Sequence, residues 1–166
     1  MLVDLGDGIA DEVAAYAQTT KSSPHWALKV LARFWSMEKR RAFVLDQLRA
    51  MNNDYWRSPD RKFAMLQEAA ELVDDEVCAA LLPFVDDHHE DARIHALGAL
   101  FGQKFAPARE VMVRRLEVEE SQRISRMILD GFITLGWSVA GAEEVIARKF
   151  RWEYAVNAAG LLEKRG

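Results

Sequence analysis

The sequence predicts an all-α fold, a right-handed α–α superhelix of about four stacked two-helix repeats, and three observations predict it. The first is a register: Phe43, Val77, Val111 and Val145 stand 34 residues apart. Their followers repeat with them, as Val44, Cys78, Met112 and Ile146, as Leu45, Ala79, Val113 and Ala147, and as Leu48, Leu82, Leu116 and Phe150. Apolar columns at one fixed period are the signature of a stacked helical repeat. The second is punctuation. Ser23-Pro24 and Ser58-Pro59 pair an N-cap residue with proline at the first helical position, while Gly102 and Gly136, also 34 apart, stand where left-handed glycines end helices. The third is composition, since 50% hydrophobic and 29% charged residues are the proportions of a globular chain with an ordinary core.

The elements follow in order. A short helix over about 8–20 precedes the first repeat. First helices run over 25–35, with Trp26, Val30 and Phe34 at helical spacing, and over 60–73, with Phe63, Leu66, Ala70 and Val73. Asp91 caps a helix that runs to Gly102, and Ser121 caps another that runs to Gly136. The columns lie on second helices over 39–51, 75–86, 107–118 and 141–150, and a last helix over 152–164 forms a C-terminal half repeat. Gly98, Gly131 and Gly160 fall inside first helices, where glycine costs about 1 kcal/mol relative to alanine, so close approach of another helix is their expected role. Trp26, Trp35, Trp137 and Trp152 read as core or junction residues. Residues 1–166 read as a single domain.

Two segments give this register a family resemblance. Ala92-Arg93-Ile94-His95-Ala96-Leu97-Gly98-Ala99-Leu100-Phe101-Gly102 and Tyr154-Ala155-Val156-Asn157-Ala158-Ala159-Gly160-Leu161-Leu162 resemble the first-helix signature of HEAT-like repeats. The resemblance covers 91–166 and extends by register back to residue 24. It implies that the second helices line a concave surface and that the chain binds protein or peptide there.

Charge is segregated along the chain. Residues 1–20 carry four acids and no Lys or Arg; 21–62 carry ten basic and four acidic residues; 63–91 carry nine acids and no base; 92–166 carry twelve basic and nine acidic residues. Adjoining repeats are thus expected to carry opposite charge, which steers partners and weakens with salt, or to neutralise each other within the molecule. The start of the chain shows neither a basic segment nor an apolar h-region, and no run reaches the length of a membrane span, so a cytoplasmic location is expected. The single cysteine, Cys78, sits in an apolar column and reads as a small core residue.

On the second helices, the side opposite the columns carries Glu76, Glu110 and Glu144, then Arg114 and Arg148, a face of mixed charge. Glu110/Arg114 and Glu144/Arg148 are also i,i+4 pairs that stabilise their own helices by a few tenths of a kcal/mol. Arg40, Arg41 and Arg57 belong to a basic stretch interleaved with Trp35, Tyr55 and Trp56, the pattern of phosphate and base contacts. Glu76, Glu110, Arg114, Glu144, Arg148, Arg40, Arg41 and Arg57 are therefore the candidate partner-binding residues.

Catalytic signals are thin. Asp86-Asp87-His88-His89-Glu90-Asp91, with His95 a turn beyond, holds metal-ligand types, but its place between helices favours a turn and a cap. Trp56-x-x-x-Asp60 has the spacing found in HEAT-like alkylated-base glycosylases, yet it spans Ser58-Pro59, which should splay the two side chains. No nucleotide loop, nucleophile elbow or paired-cysteine motif occurs, so no catalytic residue, metal or cofactor is assigned. The reading is a non-catalytic protein- or peptide-binding scaffold. Its alternative is a nucleic-acid-binding or DNA-repair protein that uses the basic aromatic first repeat, and the acidic 63–91 segment disfavours it. Because the chain stops at Gly166, just after a first-type helix, a capping half repeat, a homodimer through that face or a longer array would each cover the exposed end.

Overall fold

The computed structural model describes residues 2–166, with side chains from residue 8 onward. Among them are nine α-helices: α1 (Leu2–Thr19), α2 (His25–Phe34), α3 (Met37–Ala50), α4 (Asp60–Ala70), α5 (Asp75–Leu81), α6 (Glu90–Gly102), α7 (Ala108–Val118), α8 (Gln122–Leu135) and α9 (Glu143–Lys149). A short hairpin of β1 (Tyr154–Val156) and β2 (Leu162–Lys164) follows. No helix among the described residues is long and apolar enough to cross a membrane. The chain divides into two compact units, residues 1–99 and 100–166.

In the first unit α1 packs on α2, α2 on α3, α4 on α5, and α3 touches both α4 and α5. Helix starts follow local chemistry. The Ser36 hydroxyl accepts the Lys39 N–H at 3.2 Å, and one Asp74 carboxylate oxygen accepts those of Glu76 and Val77 at 2.9 and 3.0 Å, pairing donors that a helix end leaves open. Pro24 and Pro59 are themselves the N-cap residues, one position before the first-helical place expected of them, and no side-chain cap is made at either start. The expected helix over 75–86 is interrupted, because Pro83 has no N–H and converts its second half into a 3-10 turn over Leu82–Asp86.

The register buries as expected in one column and less so in others. Val44, Cys78, Met112 and Ile146 are all buried, and Phe43, Val77 and Val145 with them, whereas Val111 is half-buried. In the third column only Leu45 is buried. Two helices bury an arc turned by roughly a quarter of the circumference from the sequence expectation. In α2 the buried residues are Ala27, Leu28 and Leu31, while Trp26 and Phe34 are 52% and 55% exposed. In α4 Leu66 is buried as expected and Phe63 half-buried, together with Ala64, Met65 and Ala69, while Ala70 is exposed and Val73, beyond the helix, lies in solvent. An apolar stripe at helical spacing does not reveal which side is covered when the adjoining arc carries apolar residues too, as Leu28 and Leu31 do in α2 and Met65 in α4.

In the second unit α7 packs on α8, α8 on β2 and α9 on β1. Ser121 caps α8, its hydroxyl accepting the Ile124 N–H. Gly136 ends that helix at φ +63°, and the Trp137 N–H reaches back to the Phe132 carbonyl, the Schellman arrangement. Gly102 does not play this part. Lys104 takes the left-handed conformation at φ +53°, with its own N–H on Phe101 and that of Phe105 on Leu100.

The expected helix over 152–164 is absent, and the hairpin stands in its place. The Asn157 side-chain oxygen accepts the N–H groups of Ala159 and Leu161, and Gly160 adopts φ +73°, so the turn holds the segment extended. A C-terminal half repeat is thereby corrected, and the uncovered helical face invoked for dimerisation goes with it. Of the three glycines read as close-approach sites, Gly98 is exposed and Gly160 lies in this turn. Gly131 does meet a close neighbour, the Phe101 ring, 2.4 Å from where a Cβ would stand.

Candidate functional site

The helices that carry the apolar columns join one another by ion pairs, α3 to α5 and α7 to α9. In the first unit Arg41 of α3 reaches Asp74, at 2.8 Å, and Glu76, and Arg49 one turn pair further on reaches the other Glu76 oxygen at 2.9 Å. The Asp74 hydrogen bond, then that of Glu76, raises the Arg41 pKa, while Arg41 holds both carboxyls below their ordinary range. Arg40, half-buried, is tied to Glu68 of α4. In the second unit Arg148 of α9 turns to Glu117 of α7 at 2.6 Å, and Lys149 donates to the Glu117 carbonyl at 2.7 Å. The sequence pairs Arg148 with Glu144 on its own helix, but Glu117 of α7 supplies the ion-pair partner.

The eight candidate residues thus fall into two sets. Arg40, Arg41, Glu76 and Arg148 are held in ion pairs within the chain, the last two at its surface, whereas Glu110, Arg114, Glu144 and Arg57 are exposed outside these pairs. The ion pairs also answer the question of charge segregation. Arg40, Arg41, Arg49 and Lys62 of the basic segment all pair with carboxylates of the acidic one, so much of the opposing charge is neutralised within the first unit.

One of these pairs has no precedent in the sequence reading. Lys62 and Asp87 are both fully buried and meet at 2.7 Å; the Lys62 ammonium also donates to the Asp54 carbonyl at 2.9 Å and lies 4.9 Å from the Trp56 ring centre. Nothing local marks such a pair, because its members are 25 residues apart. The surrounding polar cluster is a structural node. His89 Nε2 accepts the Trp56 backbone N–H at 3.0 Å, and its ring stacks on Tyr55. His95 lies by Gln67 and Phe63, and its pKa is lowered by burial, with Asp91 opposing. Among the described residues no three His, Cys, Asp or Glu side chains converge as metal ligands.

Trp56 lies in the loop and Asp60 opens α4, so the two do not share a helix. The Trp56 indole N–H is held by Asn52 at 3.0 Å, and the Arg61 guanidinium lies 5.3 Å from its ring centre. Cys78 is buried, and burial first, then Asp75 and Asp74, pushes its thiol up to about 11. At neutral pH it stays protonated and is no nucleophile.

Exposed aromatics complete the picture. Trp26 and Trp152, read as core or junction residues, are instead 52% and 79% exposed, while Trp137 packs on Phe101 and Phe132. Trp152 borders an open hollow of about 440 Å³ with Arg126, Asp130, Tyr154 and Lys164. Its cations are engaged, Arg126 by Glu153 at 2.9 Å and Lys164 by Asp130 at 3.0 Å. No family model matches the chain, and no curated protein or solved structure matches it significantly.

Proposed function

We propose that the chain is a HEAT-like α-solenoid that works as a non-catalytic scaffold, binding a protein or peptide on the charged face of its second helices. The observation that carries this reading is the ladder of ion pairs between consecutive second helices, α3 to α5 through Arg41, Arg49 and Glu76, and α7 to α9 through Glu117 and Arg148. Each ladder joins two helices of its own unit. In the second unit Glu110, Arg114 and Glu144 are exposed on the same two helices as the Arg148–Glu117 rung, where a partner would meet them. The proposal for location is cytoplasmic.

The test is capture of partners on the immobilised chain from cells that express it, compared with the variant Glu110→Lys, Arg114→Glu, Glu144→Lys. Specific proteins retained by the wild type and lost by the variant support the reading. Retention of the same set by both, or of nucleic acid alone, overturns it.

A further inference from the structure

We propose that the outer face of α2 is a docking surface for an acidic amphipathic helix of a partner protein, separate from the charged face of the second helices. Trp26, Val30 and Phe34 follow one another every four residues, within about 80° of the helix circumference. The buried side of α2 is supplied by Ala27, Leu28 and Leu31, with Val30 half-buried, so Trp26 and Phe34 are not needed for its core. Trp26 and Phe34 are more than half exposed, and Tyr16 of α1, 39% exposed, extends the stripe with its ring centre 5.2 Å from that of Trp26. Large aromatic side chains exposed along one helix face mark an interaction site in a folded domain, and aromatic side chains are the residues that anchor interfaces.

Charge selects the occupant. Lys29 and Arg33 lie on the same outward face beside Trp26, and both are exposed. A helix with an apolar stripe about 12 Å long, the rise of eight residues, and with Asp or Glu flanking it would cover the aromatics and meet both cations. A second copy of this chain would set Lys29 and Arg33 against their own kind in a face-to-face pair. An anionic bilayer presents a uniform negative field, which the exposed Glu12 of α1, one turn before Tyr16, opposes. A helix can place its acids only opposite Lys29 and Arg33.

The experiment pans a displayed library of 18-residue helices, randomised along one face, against the full chain. The recovered sequences are expected to carry apolar residues at i, i+4 spacing with Asp or Glu beside them. Their affinity should fall at least tenfold against Trp26→Ala/Phe34→Ala and against Lys29→Glu/Arg33→Glu, and stay unchanged against Glu110→Lys/Arg114→Glu/Glu144→Lys. The charge variant keeps the test intact should the aromatic one fold poorly, and circular dichroism monitors both. Recovered helices without acidic bias, or insensitive to both α2 variants, overturn the proposal. So do Trp26-dependent binding to phosphatidylserine vesicles and Trp26-dependent self-association in light scattering. Because the second-helix variant serves as the unaffected control, failure here is distinguishable from failure of the scaffold reading.

Discussion

Residue 62 and residue 130 occupy the same register position, two periods of 34 apart, and the two units of the molecule use it in opposite ways. In residues 1–99 it is Lys62 on α4, fully buried against Asp87 in the segment that follows α5. In residues 100–166 it is Asp130 on α8, which accepts the Tyr154 hydroxyl at 2.8 Å and the Lys164 ammonium from the hairpin that follows α9. Both tie a first helix to the segment after its partner. The ladders invert likewise, cations from the earlier second helix in the first unit and a carboxylate in the second. The register thus sets where a tie falls, while its sign and burial are free to change, and burial decides what the tie is worth.

The sharpest way to break this comparison is Lys62→Ala. A carboxylate left buried without its cation costs about 3–5 kcal/mol, and chemical denaturation should show a loss of that size. Lys62→Met with Asp87→Asn leaves no buried charge and should recover most of it. If the single and double variants are equally unstable, the pair's charge is irrelevant and Lys62 acts only by filling space.

The apolar columns are the element both units share, and Leu116→Ala tests them in the second. Leu116 is fully buried, so its truncation should cost about 2–5 kcal/mol by lost transfer energy plus a cavity. Arg114, exposed on the same helix, should cost under about 1 kcal/mol when changed to alanine. Equal losses would mean that α7 is turned the wrong way.

Asp130→Ala is expected to cost less than Lys62→Ala, about 1–3 kcal/mol, which is the penalty of a buried hydroxyl left without its acceptor. The Lys164 partner adds little, since that pair is exposed. Burial and the Asp130 contact both raise the Tyr154 pKa, so the variant should also ease ionisation of that phenol, read by ultraviolet titration.

How far these features could be read from the sequence follows from their range. Caps and proline starts are local, and Ser121, Ser58-Pro59 and Gly136 place helix ends to within a residue or two. The column at 44, 78, 112 and 146 is periodic, and it is buried throughout. What failed was the choice between two faces in α2, because Ala27, Leu28 and Leu31 bury compactly while the bulkier Trp26 and Phe34 dominate any hydrophobicity pattern. The Lys62–Asp87 pair and the Arg148–Glu117 rung join residues 25 and 31 apart, beyond any spacing rule. The hairpin did carry a signal, with Tyr154 and Val156 alternating before Asn157 and Gly160, but the likeness of 154–162 to a HEAT-like first helix outweighed it.

Gly160 distinguishes the two readings of the C-terminal segment by sign. In a helix, Gly160→Ala would stabilise by about 1 kcal/mol. At φ +73° it should instead destabilise by about 1–2 kcal/mol, because an L side chain is crowded in the left-handed region. A gain in stability would restore the helix over 152–164 and remove the hairpin's tie to Asp130 from the comparison.

The smallest expected effect contrasts two helix ends within the second unit. Gly136 and Lys104 occupy the same Schellman position, at φ +63° and +53°, each followed by a residue whose N–H reaches back five residues. Glycine holds that conformation without strain, whereas lysine pays about 1–2 kcal/mol for it. Lys104→Gly relieves that strain and gives back about 0.5–1 kcal/mol through the greater freedom of glycine in the unfolded chain. The net should be a stabilisation of about 1 kcal/mol or less, seen as a small rise in the denaturation midpoint with unchanged slope. A fall in the midpoint would mean that the Lys104 side chain contributes more than its backbone strain costs, and that the end of α6 is held by something the end of α8 lacks.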